Sequence, residues 1–145
     1  MRIAVISDTH NRLPEHVLGR IQDADEIWHL GDVTGEAVLI ALEKLGPPVR
    51  VVRGNCDANE DWPVTSRFEI DGWRVHLEHI PPRVALPGTD LLLHGHTHVP
   101  RDEMVGGTRF LNPGTTGGPS KGAPPSYAWL ILEAGQPVSW KIMPV

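Results

Sequence analysis

The side chains in this sequence with most chemistry to offer are histidines set beside carboxylates. His94, His96 and His98 alternate with Gly95 and Thr97 directly after three leucines, Leu91, Leu92 and Leu93. Three leucines in a row read as a short buried strand, so the imidazoles fall where that strand runs out into a loop. Imidazole is a common metal ligand and proton carrier. His96 and His98 share a face if the chain stays extended, and address different neighbours if it turns. Gly95 supplies the freedom for a turn. Three histidines on a loop do not make a site without partners. Candidates stand at Asp8, His10, Asp32, Asn55 and His79.

Each of these must be placed by a secondary-structure element. Residues 2–7 (RIAVIS) form a nearly continuous apolar run, as expected of a strand buried on both faces. Pro14 can open a helix over 14–22, a strand comes next at 26–30, and a helix over 36–45 stops at Gly46-Pro47-Pro48. With a third strand at 49–53, the alternation predicts a parallel sheet with crossover helices. The second half reads differently. Strands at 65–70 and 73–78 flank Asp71-Gly72, a two-residue hairpin signal. A strand at 91–94 comes after them, then hairpins over 99–111 and 126–143, with loops at 80–88 and 112–125. No repeat, linker or composition shift divides the chain, so one domain over 1–145 is expected.

The residues just beyond the strand ends are the informative ones. The first strand delivers Asp8 and His10, the second Asp32, the third Asn55, the hairpin strand His79, and the leucine strand His96 and His98. In open α/β sheets that edge is where ligands bind. Carboxylate, imidazole and amide oxygen without thiolate suit a divalent ion such as Mn²⁺, Fe²⁺ or Zn²⁺. Seven side chains are too many for one ion and suit two that share a carboxylate.

Composition sets the outer bounds. At 145 residues with 40% hydrophobic and 21% charged residues, the chain can bury a core without staples. No apolar run approaches a membrane span, and the N-terminus lacks the pattern of a secretory signal, so no membrane association is expected. The single cysteine, Cys56, fits a reducing cytoplasm. A net charge of −5 offers no basic track for nucleic acid.

Residues 7–10 (SDTH), 31–32 (GD), 54–57 (GNCD), His79 and 95–98 (GHTH), in that order, resemble the calcineurin-like metallophosphoesterase superfamily, and Asn112-Pro113-Gly114 is similar to its NPG(S/T) segment. The likeness is greatest to the small bacterial and archaeal phosphodiesterase branch, to which the eukaryotic retromer scaffold subunit is related. It implies an α/β fold: a two-sheet β-sandwich flanked by helices in αββα layers, with a dinuclear site at the sheet edge. Carried over by position, Asp8, His10 and His98 would hold one ion and Asn55, His79 and His96 the other, with Asp32 bridging. The two ions, about 3.5–4 Å apart, would activate a shared hydroxide as nucleophile. Mn²⁺ is the first expectation for both, with Zn²⁺, Fe²⁺ or Ni²⁺ as alternatives. Ile80 replaces the family's usual glycine after this histidine and only 80–89 precede the next strand, which implies a more open second-metal side.

Asp32, Asn55, Cys56 and His94 are the candidates for catalytic roles beyond ligation. Cys56 occupies the position at which the larger protein phosphatases carry a histidine proposed to protonate the leaving group. A thiol with a pKa of about 8.5 is a poorer acid at neutral pH than an imidazolium near 6.5, so good leaving groups or simple diesters would be favoured. The alternative is a small packed thiol. His94 is expected to support a ligand or face the substrate, and Asp57 to hold its loop. His29 and His76 read as structural and His16 as helix surface. Arg12, Arg53, Arg83 and Lys121 lie in or near the edge loops and could meet phosphate oxygens. The expectation is a cytoplasmic phosphodiesterase for small phosphodiesters, with a non-catalytic binding scaffold as alternative and a homo-oligomer open.

Overall fold

The structure, a computed structural model, describes residues 1–145. Its elements are β1 (Arg2–Ile6), α1 (Glu15–Ile21), β2 (Glu26–His29), α2 (Glu36–Glu43), β3 (Val49–Val51), β4 (Thr65–Ile70), β5 (Trp73–Glu78), β6 (Leu91–Leu93), β7 (Arg101–Val105), β8 (Thr108–Asn112), β9 (Ser126–Ile131) and β10 (Ser139–Pro144). They form two five-stranded sheets, ordered β10-β9-β1-β2-β3 and β4-β5-β6-β8-β7. Both are mixed. In the first, β1, β2 and β3 run parallel as the strand–helix alternation predicts, and β9 and β10 join antiparallel. In the second, β5, β6 and β8 are parallel between the antiparallel edge strands β4 and β7.

β1 shows why a continuous apolar run was needed. Ile3 and Val5 enter the core between the sheets with Trp28, Leu30, Val75, Leu77, Leu91 and Leu93. Ala4 and Ile6 face the other way, against Val17 and Ile21 of α1 and Val38 and Leu42 of α2. Ile3, Val5 and Ile6 are fully buried, each stabilising the fold by about 1.5–3 kcal/mol. The two-sheet sandwich flanked by helices is as expected, with both helices packed on the first sheet.

Topology decides what covers the second sheet. Leu91, Leu93 and Leu111 point into the sandwich, so Leu92 and its neighbour Phe110 point outward, yet both are fully buried. β5 and β6 are parallel neighbours, so the chain between them must cross one face of the sheet. The inner face is filled, which sends residues 79–90 over the outer one. Thr108 Oγ1 donates to Thr89 O (2.7 Å) and ties that segment down, and the Arg101 guanidinium lies 4.6 Å over Phe110. A proline-rich crossover takes the place of a helix.

The Asp71-Gly72 hairpin forms as expected, with both residues at positive φ (48° and 81°). The strands expected at 26–30, 49–53 and 91–94 end early because the chain leaves the ladder to build the edge loops, and the one expected over 126–133 ends at Ile131, beside Arg2 at the opposite edge. The 99–105 strand begins only at Arg101.

A candidate metal centre at the sheet edge

Those edge loops are held in a backbone conformation that ordinary residues avoid. Asp8, His10, Asp32, His96 and His98 all have φ between 45° and 71°. Left-handed non-glycine residues are uncommon and persist where the surroundings dictate them. The loops are also packed too tightly for substitution at two glycines. A Cβ on Gly54 would strike Asp32 Oδ1, and one on Gly95 would strike Ser7 Oγ and Asp8 Oδ2. His96 and His98 therefore sit in a turn, and of the two expectations for them the turned one holds.

At the centre are two buried carboxylates. Asp8 Oδ1 lies 3.1 Å from His98 Nε2, 3.7 Å from His10 Nε2 and 3.8 Å from His79 Nε2. Asp32 Oδ2 lies 3.3 Å from His79 Nε2 and 3.6 Å from His10 Nε2. The remaining oxygens are spoken for: Asp8 Oδ2 accepts from Ser7 Oγ (2.6 Å) and the His96 N–H (3.1 Å), and Asp32 Oδ1 accepts from the Cys56 N–H (2.9 Å). Three groups of donor atoms converge to metal-binding distance: Asp8, His10 and His98; Asp8, Asp32 and His79; and His10, Asp32 and Cys56.

Backbone carbonyls set the tautomers. His79 Nδ1–H donates to Leu30 O and His98 Nδ1–H to Pro119 O, both at 2.7 Å. Each ring is thereby left with an Nε2 lone pair aimed at carboxylates, an arrangement that repels itself unless a cation or proton sits between. Asp8 Oδ1 and His79 Nε2 are buried with no hydrogen-bond partner, which fits donor atoms of a metal site. Electrostatics agree. Burial works to raise the Asp32 pKa, but the His79 imidazole 3.3 Å away and the Cys56 N–H overcome it and hold the carboxyl well below the usual range. Burial works against protonating His79, but Asp32 and Asp8 outweigh it and raise its pKa.

Asn55 and His96 form the rim. His96 Nδ1 donates to Asn55 Oδ1 at 3.0 Å, and the His96 ring packs edge-on against His79 at 5.3 Å. Cys56 is exposed beside Asp32, with Asn55 Nδ2 at 3.5 Å from its sulfur. Burial, then the Asp32 charge, pushes its thiol pKa up. His94 is 1% exposed and cannot meet a substrate. Its Nδ1–H donates to Gly95 O (2.9 Å) and its Nε2 accepts from Arg101 (3.3 Å), so it braces the turn that carries His96. Burial, with Arg101 beside it, lowers its pKa to about 4. Asp57 holds its loop as expected, accepting from the N–H groups of Asp32, Thr34 and Gly54. His29 is structural, with Nδ1 accepting from the Gly31 N–H and Nε2–H meeting Thr9 Oγ1. Of the four cations, Arg53 lines a cavity with Asn55 and His79, and Lys121 bears on His96 through its charge. Arg12 joins the site loops through its backbone N–H to Thr9 O.

Sequence reasoning passed over residues 115–119. Thr115 Oγ1 and the Gly118 N–H both bond to Asp8 O, at 2.7 and 3.0 Å, and Pro119 orients His98. These groups are mostly backbone, and only the preceding Asn112-Pro113-Gly114 gave any signal.

A two-sheet sandwich with carboxylates and imidazoles gathered at one edge defines a metallophosphoesterase. Residues 1–135 match the calcineurin-like phosphoesterase superfamily domain, and the chain belongs to that family. It is 38% identical over 133 residues to a protein of Methanothermobacter thermautotrophicus named "Probable metallophosphoesterase", covering 79% of this chain and 77% of the other. It is 31% identical over 163 aligned residues to the phosphodiesterase YfcE of Escherichia coli (90% and 87% covered), whose solved structure superposes with a TM-score of 0.77. The zinc-complexed Vps29 of Entamoeba histolytica shares the fold, with a TM-score of 0.79 at 23% identity over 99% of this chain and 98% of that one.

Proposed function

We propose that this protein is a metal-dependent phosphodiesterase acting on small phosphodiesters at a dinuclear centre. In this reading Asp8, His10 and His98 hold one ion, Asn55, His79 and His96 the other, and Asp32 bridges. The observation that carries it is the pair of Nε2 lone pairs, on His79 and His98, fixed by backbone carbonyls and directed at buried Asp8 and Asp32. Two bound divalent ions supply Lewis acidity at the phosphoryl oxygens and a water acidic enough to attack at neutral pH. The oxygen and nitrogen donor set suits Mn²⁺, Zn²⁺, Fe²⁺ or Ni²⁺, with Mn²⁺ the first ion to try.

The chain's own residues do the rest. Asp32, anchored through its backbone by Asp57, sets the spacing of the two halves. His94 and Asn112, which donates to Gly95 O at 3.1 Å, keep the 95–98 turn in place. Cys56 stands where the leaving group departs and holds its proton tightly, so departure depends on the leaving group's own stability. That favours diesters with acidic alcohols. The YfcE likeness supports this class, whereas the Vps29 fold keeps a binding scaffold as the second reading.

The test is hydrolysis of bis-p-nitrophenyl phosphate and p-nitrophenyl phosphate by metal-stripped protein titrated with Mn²⁺, Zn²⁺, Ni²⁺ and Mg²⁺, with Asp32→Ala in parallel. Metal-dependent turnover of the diester above the monoester, lost in the variant, is expected. Two ions bound without turnover would establish the scaffold.

A further inference from the structure

The loop carrying Asn55 and Cys56 separates two depressions of opposite character. On one side a groove of about 520 Å³ is lined by Glu36, Cys56, Asp57, Asp61 and Trp62, with no lysine or arginine. On the other a cavity of about 230 Å³ is lined by Arg53, Asn55, Val64, Glu78, His79 and Ile80. Arg53 is partly buried, and its only hydrogen bond is from its backbone N–H to Pro63 O. Its guanidinium has no ion-pair partner. Glu78, on the same wall, lies 3.2 Å from His76 Nε2, an imidazole that burial holds below its usual pKa, so Arg53 is the one cation facing this carboxylate's cavity. Val64 and Ile80 are each 49% exposed and give the cavity apolar sides.

We infer that the Arg53 cavity is the subsite for one ester arm of the substrate, and that it selects an arm with a short apolar stem ending in an anion, a carboxylate or a phosphate. This rests on the phosphodiesterase reading. A diester held at the metal centre projects one arm to each side of the 54–57 loop. An anionic arm is repelled from the groove with three carboxylates and no cation, and meets an uncommitted guanidinium in the other. A planar guanidinium binds carboxylate or phosphate through two parallel hydrogen bonds. The stem lies against Val64 and Ile80. Ile80, which replaces the small residue expected after His79, thus becomes part of substrate selection.

The experiment uses two diesters with the same p-nitrophenyl leaving group, the other arm being 3-carboxypropyl in one and butyl in the other. The metal-loaded wild type is expected to show a KM about fivefold lower for the carboxylated diester, the range of a partly exposed ion pair. The preference should weaken with added salt, vanish in Arg53→Gln and return in part in Arg53→Lys. Equal KM values in the wild type, or a preference that survives Arg53→Gln, would overturn the subsite. If neither diester turns over with any metal, calorimetric binding of the same pair decides. An affinity gap abolished by Arg53→Gln keeps the subsite and retires only the hydrolysis reading, and no gap retires both.

Discussion

Replacing Asp57 tests how the centre is held together. Its Oδ2 accepts from the N–H groups of Asp32 and Gly54, both at 2.8 Å, and its Oδ1 accepts from the Thr34 N–H at 2.9 Å. The first two bonds are partly buried and charge-assisted, each expected to contribute about 1.5 kcal/mol, and the exposed third about a third of that. Asp57→Ala should therefore destabilise the metal-free protein by about 3–4 kcal/mol and lower its Tm by roughly 10 °C. Asp57→Asn is the informative control. An amide oxygen can take the place of Oδ2 and keep two bonds, leaving an NH₂ against the Thr34 N–H, so the loss should be only about 1 kcal/mol. Because Asp32 and Thr34 hold left-handed backbones (φ 55° and 56°) next to these bonds, Asp57→Ala should also weaken Mn²⁺ binding about tenfold. Urea denaturation of the apo proteins and a calorimetric metal titration read both effects. Equal destabilisation by Ala and Asn, or a change under about 0.5 kcal/mol for Ala, would refute the reasoning.

Cys56→His should raise turnover more for poor leaving groups than for p-nitrophenolate, since an imidazolium can donate where the thiol does not; a uniform change across a leaving-group series would sink this. Asp8→Asn removes a buried charge whose Oδ1 lacks a partner, so the apo protein should be as stable as wild type or more so, while the Tm rise on adding Mn²⁺ disappears. His94 is held neutral, with its pKa lowered to about 4 against 6.5 unfolded. The unfolded chain therefore binds more protons, and lowering the pH from 7 to 4.5 should cost about 2 kcal/mol from this group alone. His94→Asn should flatten that part of the stability–pH curve, measured by denaturation at fixed temperature.

Much of this site is legible in the sequence because Asp8, Asp32 and Asn55 each come just after a segment that reads as a strand of one parallel sheet. Strand direction then brings their loops to one edge. The groups that aim the imidazoles are not legible. Leu30 O and Pro119 O are carbonyls, and every residue has one. His94 was ambiguous because a buried brace and an exposed base are the same side chain; its 1% exposure separates them. The one-sided helical layer was also hidden. Residues 80–88 show no helical period, but only the parallel pairing of β5 with β6 reveals that they cross the outer face.

The position of β1 has a consequence for how the protein reaches its native state. β1 is flanked by β2, close in sequence, and by β9, more than a hundred residues later, and the Met1 amino group bonds to Leu132 O across 131 positions. The Asp8 loop is completed by Thr115 and Gly118 only after that long loop closes. Closure over such a span is entropically costly and tends to be slow. Metal affinity should therefore arise late in refolding, in step with the slowest recovery of native fluorescence. A nascent chain would stay blind to the ion until its last strands had paired, which protects the half-made protein from being locked around a metal in the wrong shape.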